Sequence, residues 1–148
     1  GQWTFLFVSY TFCPDICPTT LAVLRSVYPA LKKIAPESQV VFISADPQRD
    51  DVARLKTYTA FFHPDFKAAT GSHDKLFPFV RNLGLIYSIA DQGERDYLID
   101  HSASIVLINP EGKLKAVFRP QMKEGQVPHV VMATLVSDFA RIVRLEGE

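Results

Sequence analysis

Apolar positions change period along this chain, and each change marks an element. Trp3 to Tyr10 (WTFLFVSY) is continuously apolar, aromatic and β-branched, the pattern of a strand covered on both faces. From Thr19 to Ile34 the spacing becomes helical, with Leu21, Leu24, Val27, Tyr28, Leu31 and Ile34 recurring on one side. Pro29 lies inside that run and is expected to kink or break it. Val40 to Ser44 (VVFIS) is a second buried strand, ended by Asp46-Pro47. Asp50 to Phe62 reads as a helix with Val52, Leu55, Tyr58, Phe61 and Phe62 inward. Phe66 to Thr70 is a short strand or turn, and Ser72 is placed to cap a helix that runs to about Leu83 and ends at Gly84.

The second half changes character. Ile86 to Ala90 and Tyr97 to Ile99 read as short strands flanking the polar turn Asp91-Gln92-Gly93-Glu94. Ser104 to Ile108 is another buried strand, and Asn109-Pro110-Glu111-Gly112 turns the chain into Leu114 to Phe118, so these two form an antiparallel hairpin. A last helix, from about Gln126 to Leu145, places Val130, Ala133, Leu135, Phe139, Ile142 and Val143 on or near one face. The order βαβα, short strand, α, hairpin, α predicts a three-layer α/β fold with a mixed sheet. No repeat, low-complexity segment or long linker divides the 148 residues, so residues 1–148 are expected to form one domain.

Composition narrows the function classes. Lys plus Arg equals Asp plus Glu, at 16 each, and no long basic run offers a footprint for nucleic acid or an anionic membrane. No apolar stretch reaches the roughly 18 residues of a membrane span. The chain opens on Gly1-Gln2-Trp3 almost inside a strand, which is read as a soluble domain lacking its native N-terminal part.

Both cysteines of the chain lie in Tyr10-Thr11-Phe12-Cys13-Pro14-Asp15-Ile16-Cys17-Pro18, directly after the first strand. Two are too few for a disulfide scaffold, and their closeness points to a site. Pro14 and Pro18 disfavour helical backbone at both cysteines, and Pro18 suits a first helical position. That places Cys17 near a helix N-cap, where unpaired amides and the macrodipole favour a thiolate. Residues four apart on a helix hold their Cβ atoms about 5–6 Å apart, against about 3.8 Å in a relaxed disulfide. A metal with bonds of about 2.3 Å to sulfur spans the wider gap more easily, so spacing mildly favours a soft ion, Cu(I) or Zn(II), and leaves a disulfide open. Of the histidines available as a third ligand, His63, His73 and His129 read as surface or turn residues. His101 stands just before a buried strand that should pack near the first, although without other information a lone histidine there is more often structural than a ligand.

Tyr10-Thr11-Phe12-Cys13-Pro14-Asp15-Ile16-Cys17-Pro18-Thr19-Thr20, Ser44-Ala45-Asp46-Pro47-Gln48-Arg49-Asp50 and Asp100-His101-Ser102 follow in order. Together they resemble the Sco/SenC family, thioredoxin-fold proteins of copper delivery to cytochrome c oxidase, and the resemblance spans nearly the whole chain. It implies a thioredoxin-like fold and copper, as Cu(I) or Cu(II), held by Cys13, Cys17 and His101. Asp100 and Asp15 then stand beside the ligands, while Asp46, Arg49 and Asp50 cap the second helix and pair charges near the site. It also implies a carrier rather than an enzyme, tethered on an extracytoplasmic face, the bacterial periplasm or the mitochondrial intermembrane space. The implied client is the dinuclear copper centre of oxidase subunit II, with other copper chaperones or thiol reductants as further partners. Two alternatives remain: a thiol–disulfide oxidoreductase acting on client cysteines, and a redox or copper sensor. A cysteine peroxidase is disfavoured, for want of supporting arginine chemistry near the cysteines.

Two departures matter. Many members carry His before the first cysteine, where this chain has Phe12. Thioredoxins face their cysteine pair with a cis-proline, and the corresponding stretch His101-Ser102-Ala103 has none, which argues against a general disulfide reductase.

Overall fold

A computed structural model of the protein describes residues 1–12, 16–89, 99–121, 125 and 129–147, with the backbone alone for 16–19 and 100. The elements are β1 (Trp3–Ser9), α1 (Ile16–Ile34), β2 (Ser38–Ser44), α2 (Val52–Phe62), β3 (Lys67–Ala69), α3 (His73–Asn82), β4 (Tyr87–Ile89), β5 (Ile99–His101), β6 (Ile105–Ile108), β7 (Leu114–Phe118) and α4 (Met132–Glu146). The main sheet runs β3-β2-β1-β6-β7, and β4 pairs with β5 in a separate ribbon. β1, β2 and β3 are parallel, while β6 is antiparallel to both β1 and β7. The sheet is mixed, as the alternation of patterns predicted.

β1 shows why a continuous apolar run was needed. Trp3, Phe5 and Phe7 face one core with Leu21, Leu24, Tyr28 and Leu31 of α1 and Leu135 and Phe139 of α4. Leu6, Val8 and Tyr10 face the other, with Leu76 and Val80 of α3, Tyr87 of β4 and Ile99 of β5. Successive side chains of a strand point to opposite faces, so a strand buried twice has no polar phase. The layers are therefore α1, α2 and α4 on one face, the sheet, and α3 with the β4–β5 ribbon on the other.

Several elements depart from the sequence expectation. α1 begins at Ile16 rather than Thr19, so Cys17 lies in its first turn, not at its N-cap. Pro18 is tolerated there because the first four amides of a helix have no intrahelical acceptor. The helix also runs through Pro29 without interruption. Pro29 faces solvent, where water can satisfy the carbonyl it frees, and Leu24, Tyr28 and Leu31 anchor the helix on either side. In α2, Val52 and Phe61 are each 79% exposed, not inward. The buried stripe is Leu55 and Thr59, with Tyr58 and Phe62 packed against it. Ser72 stands at the N-cap of α3, but its side chain makes no cap bond; its carbonyl accepts from Lys75 and Leu76. α4 starts at Met132, so Val130 is buried ahead of the helix, and Ala133 is exposed. The expected polar turn 91–94 lies outside the described residues.

Candidate functional site

Three segments meet at the carboxyl ends of the parallel strands, where open α/β sheets place their ligand sites. The cysteine segment leaves β1, the Asp46–Asp50 segment leaves β2, and Ser102 to Ser104 lead into the start of β6. Because β6 runs antiparallel to β1, with Leu6 opposite Val106, its amino end lies beside the carboxyl end of β1. This topology brings a residue 92 positions downstream of Ser9 to the cysteine segment.

That residue is His101, the last of β5, paired with Tyr87 of β4. Its ring is half-buried and stands edge-on to Tyr10, with centroids 5.9 Å apart. Nδ1 lies 3.1 Å from the carbonyl oxygen of Ser102, and Nε2 lies 3.3 Å from Ser9 Oγ. A carbonyl oxygen can only accept, so Nδ1 carries the proton of the neutral ring and donates it to Ser102. The Nε2 lone pair is thereby directed at the end of β1. Ser102 is fixed in turn: its amide donates to the Ile86 carbonyl at 2.9 Å, and its hydroxyl accepts from the Ile86 amide at 3.0 Å. The Tyr10 hydroxyl accepts from the Ile99 amide at 3.1 Å, which ties β5 to the residue after β1.

Phe7, Val8, Ser9, Thr20, His101, Ser102 and Ala103 line one narrow cleft. Thr20, three residues beyond Cys17 in the sequence, brings the amino-terminal part of α1 to the same cleft as the imidazole. The predicted Cys13 and Asp15 lie outside the described residues, and of Cys17 and Asp100 the backbone alone is described. Among the described residues no group of three Cys, His, Asp or Glu forms a metal cluster. Phe12 offers an aromatic face rather than a ligand, and no described peptide bond is cis.

The remaining histidines have other employment. His63 is the C-cap of α2 rather than an exposed turn residue. Its ring stacks on Phe66 and meets Tyr28 edge-on, and Nδ1 accepts from the Asp65 amide. His73 Nδ1 lies 2.8 Å from the Tyr87 hydroxyl, and burial pushes that phenol up to about 12. His129 precedes α4 and bridges to Gln121.

The Asp46–Asp50 segment corrects a sequence expectation. Asp51, not Asp50, caps α2, accepting from the Arg54 amide at 2.7 Å. Asp46 pairs with Arg49, as expected of a charge pair near the site, and Arg49 and Arg54 both stand against Phe12, so arginine does lie beside the residue before Cys13, contrary to the sequence expectation. Asp50 is fully buried and bonds to Thr11 and to Ser44. Thr11, Thr20 and Ser102 stood in the segments that carry the resemblance without a role being read for them, and Ser9 was not singled out. The only hint was a polar residue ending the apolar run of β1.

Comparison with known proteins bears on this arrangement. The SCO1/SenC family model matches residues 1–135. The mouse protein named Protein SCO2 homolog, mitochondrial, is 42% identical over 115 residues, which are 76% of this chain and 45% of that protein. Arabidopsis thaliana ScoI with copper bound superposes with a TM-score of 0.81 at 29% identity, covering 98% of this chain and 86% of that one. Yeast Sco1 with copper bound gives 0.79 at 28% identity, covering 97% and 77%. The chain spans about half the length of the curated relatives it matches. With its thioredoxin-like α/β fold and a family model that matches residues 1–135, this chain belongs to the SCO1/SenC family.

Proposed function

We propose that the chain is a copper metallochaperone, with copper as its cargo on Cys13, Cys17 and His101. One observation carries the reading: the lone pair of His101 Nε2 is directed at the end of β1, in a cleft that Thr20 of α1 also lines. Two thiolates and an imidazole form a soft donor set suited to Cu(I). The copper-bound relatives support the same choice of metal. The hydrogen bond from Nδ1 to a carbonyl fixes the tautomer and raises the basicity of the opposite nitrogen, as in metal-ligating histidines generally. The client in this reading is the dinuclear copper centre of cytochrome c oxidase subunit II, reached from an extracytoplasmic membrane. Relatives named as mitochondrial are consistent with that setting. No helix of the described residues is long and apolar enough to cross a membrane.

Cys17 in the first turn of α1 also supports a thiol–disulfide reading, since the amino end of a helix favours the thiolate. Metal content separates the two. The reduced protein, desalted after loading, is expected to retain about one copper per chain, one donor set holding one ion. Copper retained equally by the Cys13→Ser/Cys17→Ser double variant would remove the cysteines from the site.

A further inference from the structure

A fully buried carboxylate is expensive unless charged or hydrogen-bonding partners surround it, so the partners of Asp50 indicate what it is for. It does not cap α2. It accepts from the Thr11 amide at 3.0 Å, from Thr11 Oγ1 and from Ser44 Oγ at 2.6 Å. Arg54 Nε lies 3.5 Å from the same carboxylate and donates to Thr11 Oγ1 at 2.6 Å. The next residue, Phe12, is 44% exposed. Its ring is nevertheless gripped, with Arg49 Cζ 4.5 Å and Arg54 Cζ 4.0 Å from its centroid. Both distances suit cation–π attraction. Arg49 is itself bonded to the buried Asp46 and lies 5.6 Å from the Tyr10 ring. One carboxylate and two guanidiniums, all from the segment between β2 and the first turn of α2, thus converge on residues 10–12, with Asp46 holding one of the guanidiniums.

The geometry points to a positioning clamp for Cys13, built from Asp50, Arg49 and Arg54 acting on Thr11 and Phe12. Residue 13 follows directly from an amide held by a buried anion and a ring held by two cations. A fixed Thr11 and Phe12 set the direction in which the chain leaves toward residue 13. This inference rests on the assignment of Cys13 and Cys17 as the working pair. It gives Phe12 a role as an anchor rather than a ligand.

Thr11→Val deletes the hydroxyl that joins Asp50 to Arg54, and Phe12→Leu deletes the aromatic face. Thr11→Ser and Phe12→Tyr keep both features. Two quantities are read on the full chain. One is Cu(I) affinity, by competition with a chromophoric Cu(I) chelator. The other, measured without metal, is the equilibrium in which the Cys13–Cys17 disulfide plus two glutathione thiols gives the protein dithiol plus glutathione disulfide. Loss of a group that orients a metal ligand typically weakens binding about 10- to 100-fold. Thr11→Val and Phe12→Leu are each expected to weaken copper at least about tenfold and to shift the glutathione equilibrium several-fold toward dithiol. Thr11→Val is expected to lower the urea midpoint, because the buried Asp50 carboxylate loses a donor, while Phe12→Leu should leave it near the parent's; Thr11→Ser and Phe12→Tyr should behave as the parent. Values within about twofold of the parent for both disrupting variants overturn the clamp, as does an equal loss in the conservative pair. If the parent itself holds no copper, the carrier reading falls, and the glutathione equilibrium alone decides the clamp.

Discussion

His101 is held from both sides, by the Ser102 carbonyl at Nδ1 and by Ser9 near Nε2, and its consequences are separable from those of the cysteines. A dithiol needs one attacking and one resolving sulfur to exchange, with no imidazole between them. His101→Ala is therefore expected to weaken copper by at least about tenfold, the scale on which even a supporting partner of a metal ligand acts. The Cys13–Cys17 pair should still cycle between disulfide and dithiol. Thiol titration before and after oxidation, beside a copper competition assay, reads the two effects on one sample. Loss of cycling with copper affinity intact would favour the oxidoreductase instead. Tyr87, the neighbour of His101 across the ribbon, carries a different prediction. Burial raises its phenol to about 12, so between pH 10 and 12 the unfolded chain loses a proton that the folded chain keeps. Its contribution to stability is complete below about pH 10 and falls through that window, by up to roughly 1.4 kcal/mol per pH unit. Tyr28 is raised as well, by burial and then by Asp65, and adds to the same trend. Urea unfolding of Tyr87→Phe across this range should show a shallower decline than the parent, and an identical slope would remove the residue from the effect.

Neighbouring aspartates separate the roles of an element and of the loop it holds. Asp51 caps α2 at its exposed amino end, so Asp51→Ala is expected to lower stability by about 1 kcal/mol. Asp50 faces inward and joins β2, through Ser44, to the segment after β1. Asp50→Ala leaves the Thr11 amide and the Ser44 hydroxyl without their acceptor and is expected to lower stability by roughly 2–4 kcal/mol. Chemical unfolding of the two variants in parallel should show the ordering, and equal losses would mean that Asp50 is not the interior tie described. α4 depends on Phe139, whose ring meets Trp3 and Phe5 edge-on at 5.6 and 4.8 Å. Phe139→Ala is expected to lose about 3–5 kcal/mol by opening that core, seen as a lower thermal midpoint without a change in copper stoichiometry.

At the scale of the whole molecule, sheet order and site placement follow from one fact: a strand buried on both faces lies at the centre, with a loop at its carboxyl end. The strand was legible because WTFLFVSY has no polar phase, and the β6–β7 hairpin because Asn109 to Gly112 has the residues a tight turn requires. The inner face of α2 was not. Tyr58, Phe61 and Phe62 crowd one turn, and periodicity alone cannot decide which of them faces the sheet. The partners of Asp50 were invisible for a different reason: local spacing suggested a cap, and the real tie spans 39 residues. The cysteines drew notice by proximity alone, His101 through the family resemblance, and the contact of Ser9 with His101 had no local signal. Serine at a strand end is ordinary, and only the tertiary fold brings residues 9 and 101 together.

The central claim is that this arrangement closes around one copper ion through two sulfurs and one imidazole. X-ray absorption of the Cu(I)-loaded protein, recorded beside His101→Ala, tests it most directly. The parent is expected to show two sulfur neighbours and one nitrogen neighbour with imidazole outer-shell scattering, and the variant to lose that scattering while keeping sulfur. A coordination shell without sulfur, or an imidazole signature undiminished in His101→Ala, would contradict it.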